Sequence, residues 1–201
     1  MEKRGRFIVL EGIDGSGTTT QAENLKAHLE SQGKKVHLTR QPSTGVIGKT
    51  IREFLAKKEG QAVNWEMLAL LFAADRLHHW EAEIEPHLRA GDFVISDRYV
   101  LSSLVYQGED CPEEWVAQIN QYAPQPDLTF WVNISAEAAF KRVKDRGGVE
   151  EVYDDLAKQQ SLEKRYARLA SSQNAIEVNG DRSISEVTQA LCEAMQKHLG
   201  V

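Results

Sequence analysis

The chain has 201 residues, 41% of them hydrophobic and 27% charged, with a formal net charge of −6. That length supports one domain with a substantial core, and the balance is that of a globular rather than a disordered chain. The acidic surplus argues against a nucleic-acid binder, so an anionic ligand must be held by locally placed arginines and backbone amides.

In chain order, residues 6–11 (RFIVLE) read as a buried strand that runs into the glycine-rich stretch GIDGSGTTT. Residues 19–32 are then helical and closed by Gly33. A second strand is expected at 35–39, a helix around 46–57, and a long helix from Asn64, a capping residue, to Glu83. Strands follow at 93–97, 128–133 and 175–178, with a helix carrying Ser102 to Gln107 and further helices around 136–144, 156–170 and 184–199. This alternation predicts an α/β fold with a parallel sheet and helices on both faces. Residues 1–201 read as a single domain, with mobile loops near 41–47, 108–113 and 145–155.

Cys111 and Cys192 stand far apart with no partner at metal-ligand spacing, which fits free thiols in a reducing cytosol. No apolar run approaches the ~20 residues that span a bilayer, and the one in MEKRGRFIVLEG is too short for a signal peptide. The expected location is cytoplasmic, with no membrane and no nucleic-acid partner.

GIDGSGTTT has the frame of a phosphate-binding loop, G-x-x-x-x-G-K-[ST], except that Thr18 stands where the lysine belongs. Gly12, Gly15 and Gly17 let the backbone curl around a phosphate, and a helix N-terminus adds partial positive charge there. The expected ATP cradle is Gly12, Asp14, Gly15, Ser16, Gly17, Thr18, Thr19 and Thr20, with Thr19 at the position whose hydroxyl ligates Mg²⁺. Losing the lysine removes a cation from the β/γ-phosphates, so positive charge for phosphoryl transfer has to come from arginines elsewhere.

Three segments carry a resemblance. FIVLEGIDGSGTTTQ, TRQPSTGVIGKTIREFL (39–55) and LLFAADRLHHWEAEIEPHLRAGDFVISDRYVLSSLVYQG (70–108) resemble the thymidylate kinase family, P-loop enzymes that phosphorylate dTMP to dTDP with ATP. The signature D-R-Y-x-x-S-S-x-x-Y-Q is the most specific part, and looser similarity continues to the C-terminus. The resemblance implies a P-loop NMP-kinase fold with a five-stranded parallel sheet and a lid at about 142–155. It also implies ATP and dTMP as substrates, Mg²⁺ as cofactor, and a homodimer packed through helices.

Phe72 and Arg76, four apart on a helix, share a face. The resemblance assigns them to thymine, one stacking and the other donating to a carbonyl. It brings Ser103 and Gln107 to the base, sets Tyr106 against the ribose C2′, and puts Asp14 on the 3′-hydroxyl. Arg40 would bridge phosphates and Pro42 shape the pocket floor. Arg98 would clamp the acceptor phosphate from a strand's carboxyl edge, and Asp97 would organise Mg²⁺ with Thr19. Gln41 replaces the family's usual glutamate, which puts in doubt a metal or water contact there.

Some family members carry a catalytic arginine in the loop, where this chain has Gly15. Arg146, then Arg142, just before the Gly147-Gly148 hinge, are therefore the expected source of the missing charge. Adenine is expected near the turn 179–183. His37, His78, His79 and His87 read as scattered or solvent-facing, and the four tryptophans as packing residues. Two alternatives stand beside the leading one: a kinase for another nucleoside monophosphate, and a catalytically silent nucleotide-binding protein.

Overall fold

In the computed structural model, which describes residues 4–56, 64–146 and 155–201, β1 (Phe7–Glu11) is buried at every position. The unbroken FIVLE run suits a strand covered on both faces. It pairs in parallel with β3 (Phe93–Asp97) on one side and β4 (Leu128–Asn133) on the other. Adding β2 (Val36–Arg40) and β5 (Ile176–Asn179) gives a five-stranded parallel sheet of order β2-β3-β1-β4-β5. The expected α/β architecture is the one observed, with strand ends shifted by one residue at most.

Alternation along β1 divides the core. Ile8 and Leu10 pack with Leu25 and Leu29 of α1 (Thr18–Ser31) and Leu191 and Met195 of α9 (Ile184–Leu199). Phe7 and Val9 point the other way, toward Ile84, Leu88 and Tyr99. A third cluster joins α2 (Val46–Leu55) and α3 (Trp65–His79) through Ile51 and Leu68 to side chains further along the chain.

Asn64 caps α3 as expected, its Oδ1 accepting the Met67 N–H at 2.7 Å. The helix does not stop at Glu83, however. It passes through a π-helical turn, Trp80–Ile84, into α4 (Glu85–Arg89). Pro86 has no N–H for the carbonyl of residue 82, and the widened turn before it relieves that conflict.

Residues 41–45, expected to be mobile, are tied down. The Ser43 N–H and hydroxyl both donate to the buried Asp75 carboxylate, at 2.7 and 2.6 Å. After α5 (Val100–Tyr106), the segment 108–113 holds the end of a short 3₁₀ turn and the start of α6 (Glu113–Ile119), a helix the sequence pattern did not reveal. Its seven residues are too few for a helical period to stand out. Gly147-Gly148 and most of the expected lid, along with residue 57, lie outside the described residues.

β1 leads across the sheet toward β2, and β4 toward β5, so the chain reverses direction between two neighbouring strands. Open parallel sheets place ligands at the carboxyl ends of such strands. The glycine loop follows β1, and α7 (Ala136–Arg146) follows β4, so these two segments meet at that crevice. Past them, α8 (Leu156–Leu169) lends Leu162 and Tyr166 to the third core cluster beside Leu104 of α5.

Candidate active site

The loop curls where its glycines allow. Gly15 has φ 88°, a left-handed conformation that strains any side chain, and a Cβ there would stand 2.4 Å from the Ala139 carbonyl oxygen of α7. A loop arginine at this position is disfavoured twice, by the strain of its own backbone and by its neighbour. Thr18, 6% exposed, opens α1 and lines a broad cleft with Gly15, Ser16, Gly17, Thr19 and Thr20.

Arg98, Arg142 and Arg182 line the same cleft. The Arg142 Nη2 donates to the Gly180 carbonyl at 3.2 Å, linking α7 to the turn after β5. Arg146 ends α7, and its side chain lies outside the described residues. Arg182 was legible only as part of the turn expected near adenine.

Asp97 and Thr19 face each other at the loop. The Thr19 hydroxyl donates to Asp97 Oδ2 at 2.5 Å, while Asp97 Oδ1 is buried with no hydrogen-bond partner among the described residues. An orphaned buried carboxylate oxygen costs about 1–3 kcal/mol or more, so a ligand is the natural partner. One carboxylate and one hydroxyl beside a phosphate cradle form a hard-oxygen donor set that suits Mg²⁺, which keeps waters and substrate phosphates as its other ligands. Among the described residues no three His, Cys, Asp or Glu side chains gather into a metal cage.

A second cavity opens on the other side of Arg98. Asp14, Pro42, Phe72 and Arg76 line it from one direction, and Ser103, Tyr106 and Gln107 from another. The structure thus gathers every residue expected at the acceptor except Arg40, which is exposed at the end of β2, paired in register with Asp97, and lines neither cavity.

Arg98 lines both cavities. Its backbone is left-handed, φ 74°, which is rare for a residue with a Cβ and turns the side chain sharply off the strand end. The guanidinium donates to the Gly12 carbonyl at 2.7 Å and to Asp14 Oδ1 at 2.5 Å, and lies 5.0 Å over the Tyr106 ring. The Tyr106 hydroxyl donates to the other Asp14 oxygen at 3.1 Å.

Arg76 is 2% exposed, and all its hydrogen-bond partners are neutral. Nε donates to Asn120 Oδ1 at 3.0 Å, Nη1 to Gln41 Oε1, and Nη2 to Ser103 Oγ at 2.5 Å. The guanidinium also lies 5.0 Å over the Tyr99 ring. Burial pulls its pKa below the usual arginine value, while Tyr99, Glu11 and Asp75 pull it back up. A buried cation with no carboxylate among its hydrogen-bond partners leaves positive potential facing the cavity, available to a carbonyl-rich base edge.

Gln41, whose possible contact with metal or water was in doubt, turns instead toward Arg76 and His79. Glu11 had no role in the sequence reading beyond ending a strand. It is fully buried and accepts from the Tyr99 N–H (2.9 Å), the Ser102 hydroxyl (2.5 Å) and the Tyr166 hydroxyl (3.1 Å). Burial raises its pKa, opposed by the Ser102 hydrogen bond and by Arg98. Its signal was an acidic side chain at the end of an otherwise apolar central strand.

The histidines also differ from expectation. His79 is 1% exposed, and His37 stacks on His87 at 3.9 Å with a 2.8 Å contact to Glu83. Of the four, His78 alone is exposed. The tryptophans do pack: Trp131 is buried beside Tyr166, and Trp80 meets Phe7 edge-on.

Comparison with known proteins agrees with this geometry. The family model described as "Thymidylate kinase" matches residues 10–191. The chain is 41% identical over 200 residues to a protein of Pyrococcus abyssi called "Probable thymidylate kinase", covering 97% of each. Proteins of the same description from Methanothermobacter thermautotrophicus (39%, covering 97% of this chain and 96% of the relative) and Pyrobaculum aerophilum (38%, covering 95% and 96%) are similar along nearly their whole length.

Proposed function

The chain belongs to the thymidylate kinase family, and we propose that it transfers the γ-phosphoryl group of ATP to dTMP, yielding dTDP and ADP in the supply of dTTP. The observation that carries this is Arg98, one guanidinium lining both the loop cleft and the Phe72–Arg76 cavity. A phosphoryl group passing in line between donor and acceptor has to cross beside it.

ATP occupies the cleft, its phosphates on the amides of Gly12 to Thr20 and its adenine near the turn at Gly180 and Arg182. dTMP lies in the second cavity, its base between Phe72 and Arg76 with Ser103 and Gln107 nearby. Asp14 meets the sugar 3′-hydroxyl, Tyr106 crowds C2′, and Pro42 shapes the floor. Arg98 orients the acceptor phosphate and neutralises charge as the bond to the leaving ADP breaks and the new P–O bond forms. Thr19 and Asp97 hold Mg²⁺, which supplies further neutralisation at the phosphates. No covalent enzyme intermediate is needed.

The Gly15 position disfavours a loop arginine, and Thr18 offers no charge, so the missing cation comes from α7 and the lid it leads into, at about 142–155. Arg142 already lines the cleft, and Arg146 follows one helical turn later. Two guanidinium groups at the phosphates can replace what a lysine would supply, since such arginines are worth ~10³ or more in rate.

The functional unit is a homodimer with one domain per protomer. Met67, Leu70 and Leu77 form an apolar stripe on α3 that is 36%, 51% and 40% exposed, and Phe54 on α2 is also 40% exposed. The free thiols Cys111 and Cys192 and the small phosphorylated substrates fit a cytoplasmic enzyme. Among the described residues no helix is long and apolar enough to cross a membrane.

ADP release measured with dTMP, dUMP and other nucleoside monophosphates tests the reading. Release that depends on dTMP above the rest is the expected result. A stronger response to another acceptor assigns the pocket to that nucleotide, and none with any acceptor supports the silent alternative.

A further inference from the structure

Hydrogen bonds extend the acceptor site one layer deeper, from Gln41 on the cavity wall to the buried His79 behind it. Arginine can only donate, so the Gln41 group that meets Arg76 Nη1 is its carbonyl oxygen. The Gln41 amide nitrogen, a donor only, therefore faces His79, 3.3 Å from Nδ1. That ring nitrogen has to accept, which leaves the proton on Nε2, 2.8 Å from the Thr39 hydroxyl and 3.4 Å from Glu83. The chain of donors runs one way, from Arg76 through Gln41 to His79. An imidazolium cannot take part, because its Nδ1–H would meet the Gln41 NH₂ head-on.

Resting on the dTMP reading of the cavity, we propose that Gln41 and His79 are positioning residues for base recognition. The neutral Nε2–H tautomer of His79 fixes the Gln41 amide, and the amide fixes Arg76 with its remaining N–H bonds aimed at the base. Three of the five guanidinium N–H bonds are held by Asn120, Gln41 and Ser103, leaving one on each Nη. These two N–H bonds can donate to a carbonyl oxygen of a pyrimidine such as thymine.

The surroundings agree with a neutral ring. The ionisable groups acting on His79 are Glu83 one turn along, Asp75 on its own helix, and His37 from β2. Burial lowers its pKa against the pull of Glu83 and Asp75, and His37 lowers it further. Asp75 itself is engaged by Ser43, so its carboxylate faces the 41–45 segment rather than the ring. A neutral glutamine at 41, where the family usually has a carboxylate, is the partner such a ring requires: a carboxylate there would draw a proton onto Nδ1.

The test compares two variants by steady-state kinetics and by ring-¹⁵N NMR of the unmodified protein. His79→Leu removes the acceptor and is expected to raise the KM for dTMP about tenfold while leaving the KM for ATP unchanged, the loss of one buried hydrogen bond. His79→Asn puts an oxygen where Nδ1 stood, and the KM for dTMP is expected to stay within about twofold of the original. A merely structural role would lower thermal stability and spread the loss over both substrates, and that pattern overturns the proposal. If His79→Leu does not fold, NMR decides: an Nε2–H ring between pH 6.5 and 8 supports it, and an Nδ1–H or doubly protonated ring overturns it. A protein with no dTMP-dependent activity but an Nε2–H ring would fail the substrate assignment and not the Gln41–His79 linkage.

Discussion

The two halves of the site are built differently. In the acceptor cavity, Asp14, Gln41, Arg76, Arg98 and Ser103 are already bound to one another or to the backbone. In the donor cleft, Asp97 Oδ1 and Ser16 Oγ are buried without partners among the described residues, and Arg142 and Arg182 sit at an exposed rim. The contrast shows which half is organised before substrate arrives. On the proposed reading the acceptor side discriminates between bases and needs fixed donors, while the donor side would be completed by phosphates and Mg²⁺.

Arg98 belongs to both halves, so its loss should break the comparison most severely. Arg98→Ala is expected to lower turnover by ~10³ or more, read as kcat in the coupled ADP assay. The next effect lies on the donor side alone. Arg146→Ala and Arg142→Ala are each expected to lower kcat at least about tenfold without moving the KM for dTMP. Unchanged turnover in both would remove α7 and the lid as the source of the missing charge.

Smaller effects probe the acceptor framework. Gln41→Glu brings a carboxylate to Nδ1 of His79 and should raise the pH at which that ring titrates, followed by NMR; an unmoved titration contradicts the arrangement. Glu11 gives the smallest signature. Its folded pKa lies above 4.5, so from about pH 4.5 upward the unfolded chain gives up a proton that the folded chain keeps. Its contribution is therefore lost as pH rises through the raised value, and Glu11→Gln should flatten that part of the stability profile in denaturant titrations.

Much of this was legible because two sequence patterns agreed. Buried apolar strands alternating with helices gave the sheet, and the glycine loop with the SDRY segment located the crevice. His79 was readable too. It lies three residues after Arg76, four after Asp75 and seven after Phe72, all on one helical face, but a neighbouring His78 made the pair look like surface. Other roles depend on long-range contacts that periodicity does not carry. Asn120 reaches Arg76 across 44 positions of chain, and Tyr166 reaches Glu11 across 155. The closure of Gly15 by Ala139 likewise exists only once α7 has packed on the loop.

The central claim is that a phosphate loop with Thr18 in place of lysine works, completed by arginines from outside it. The direct measurement is dTMP-dependent ADP release by the unmodified protein and by Thr18→Lys, side by side. The account predicts turnover by the unmodified protein, with lysine not required. No turnover until lysine is restored would contradict it.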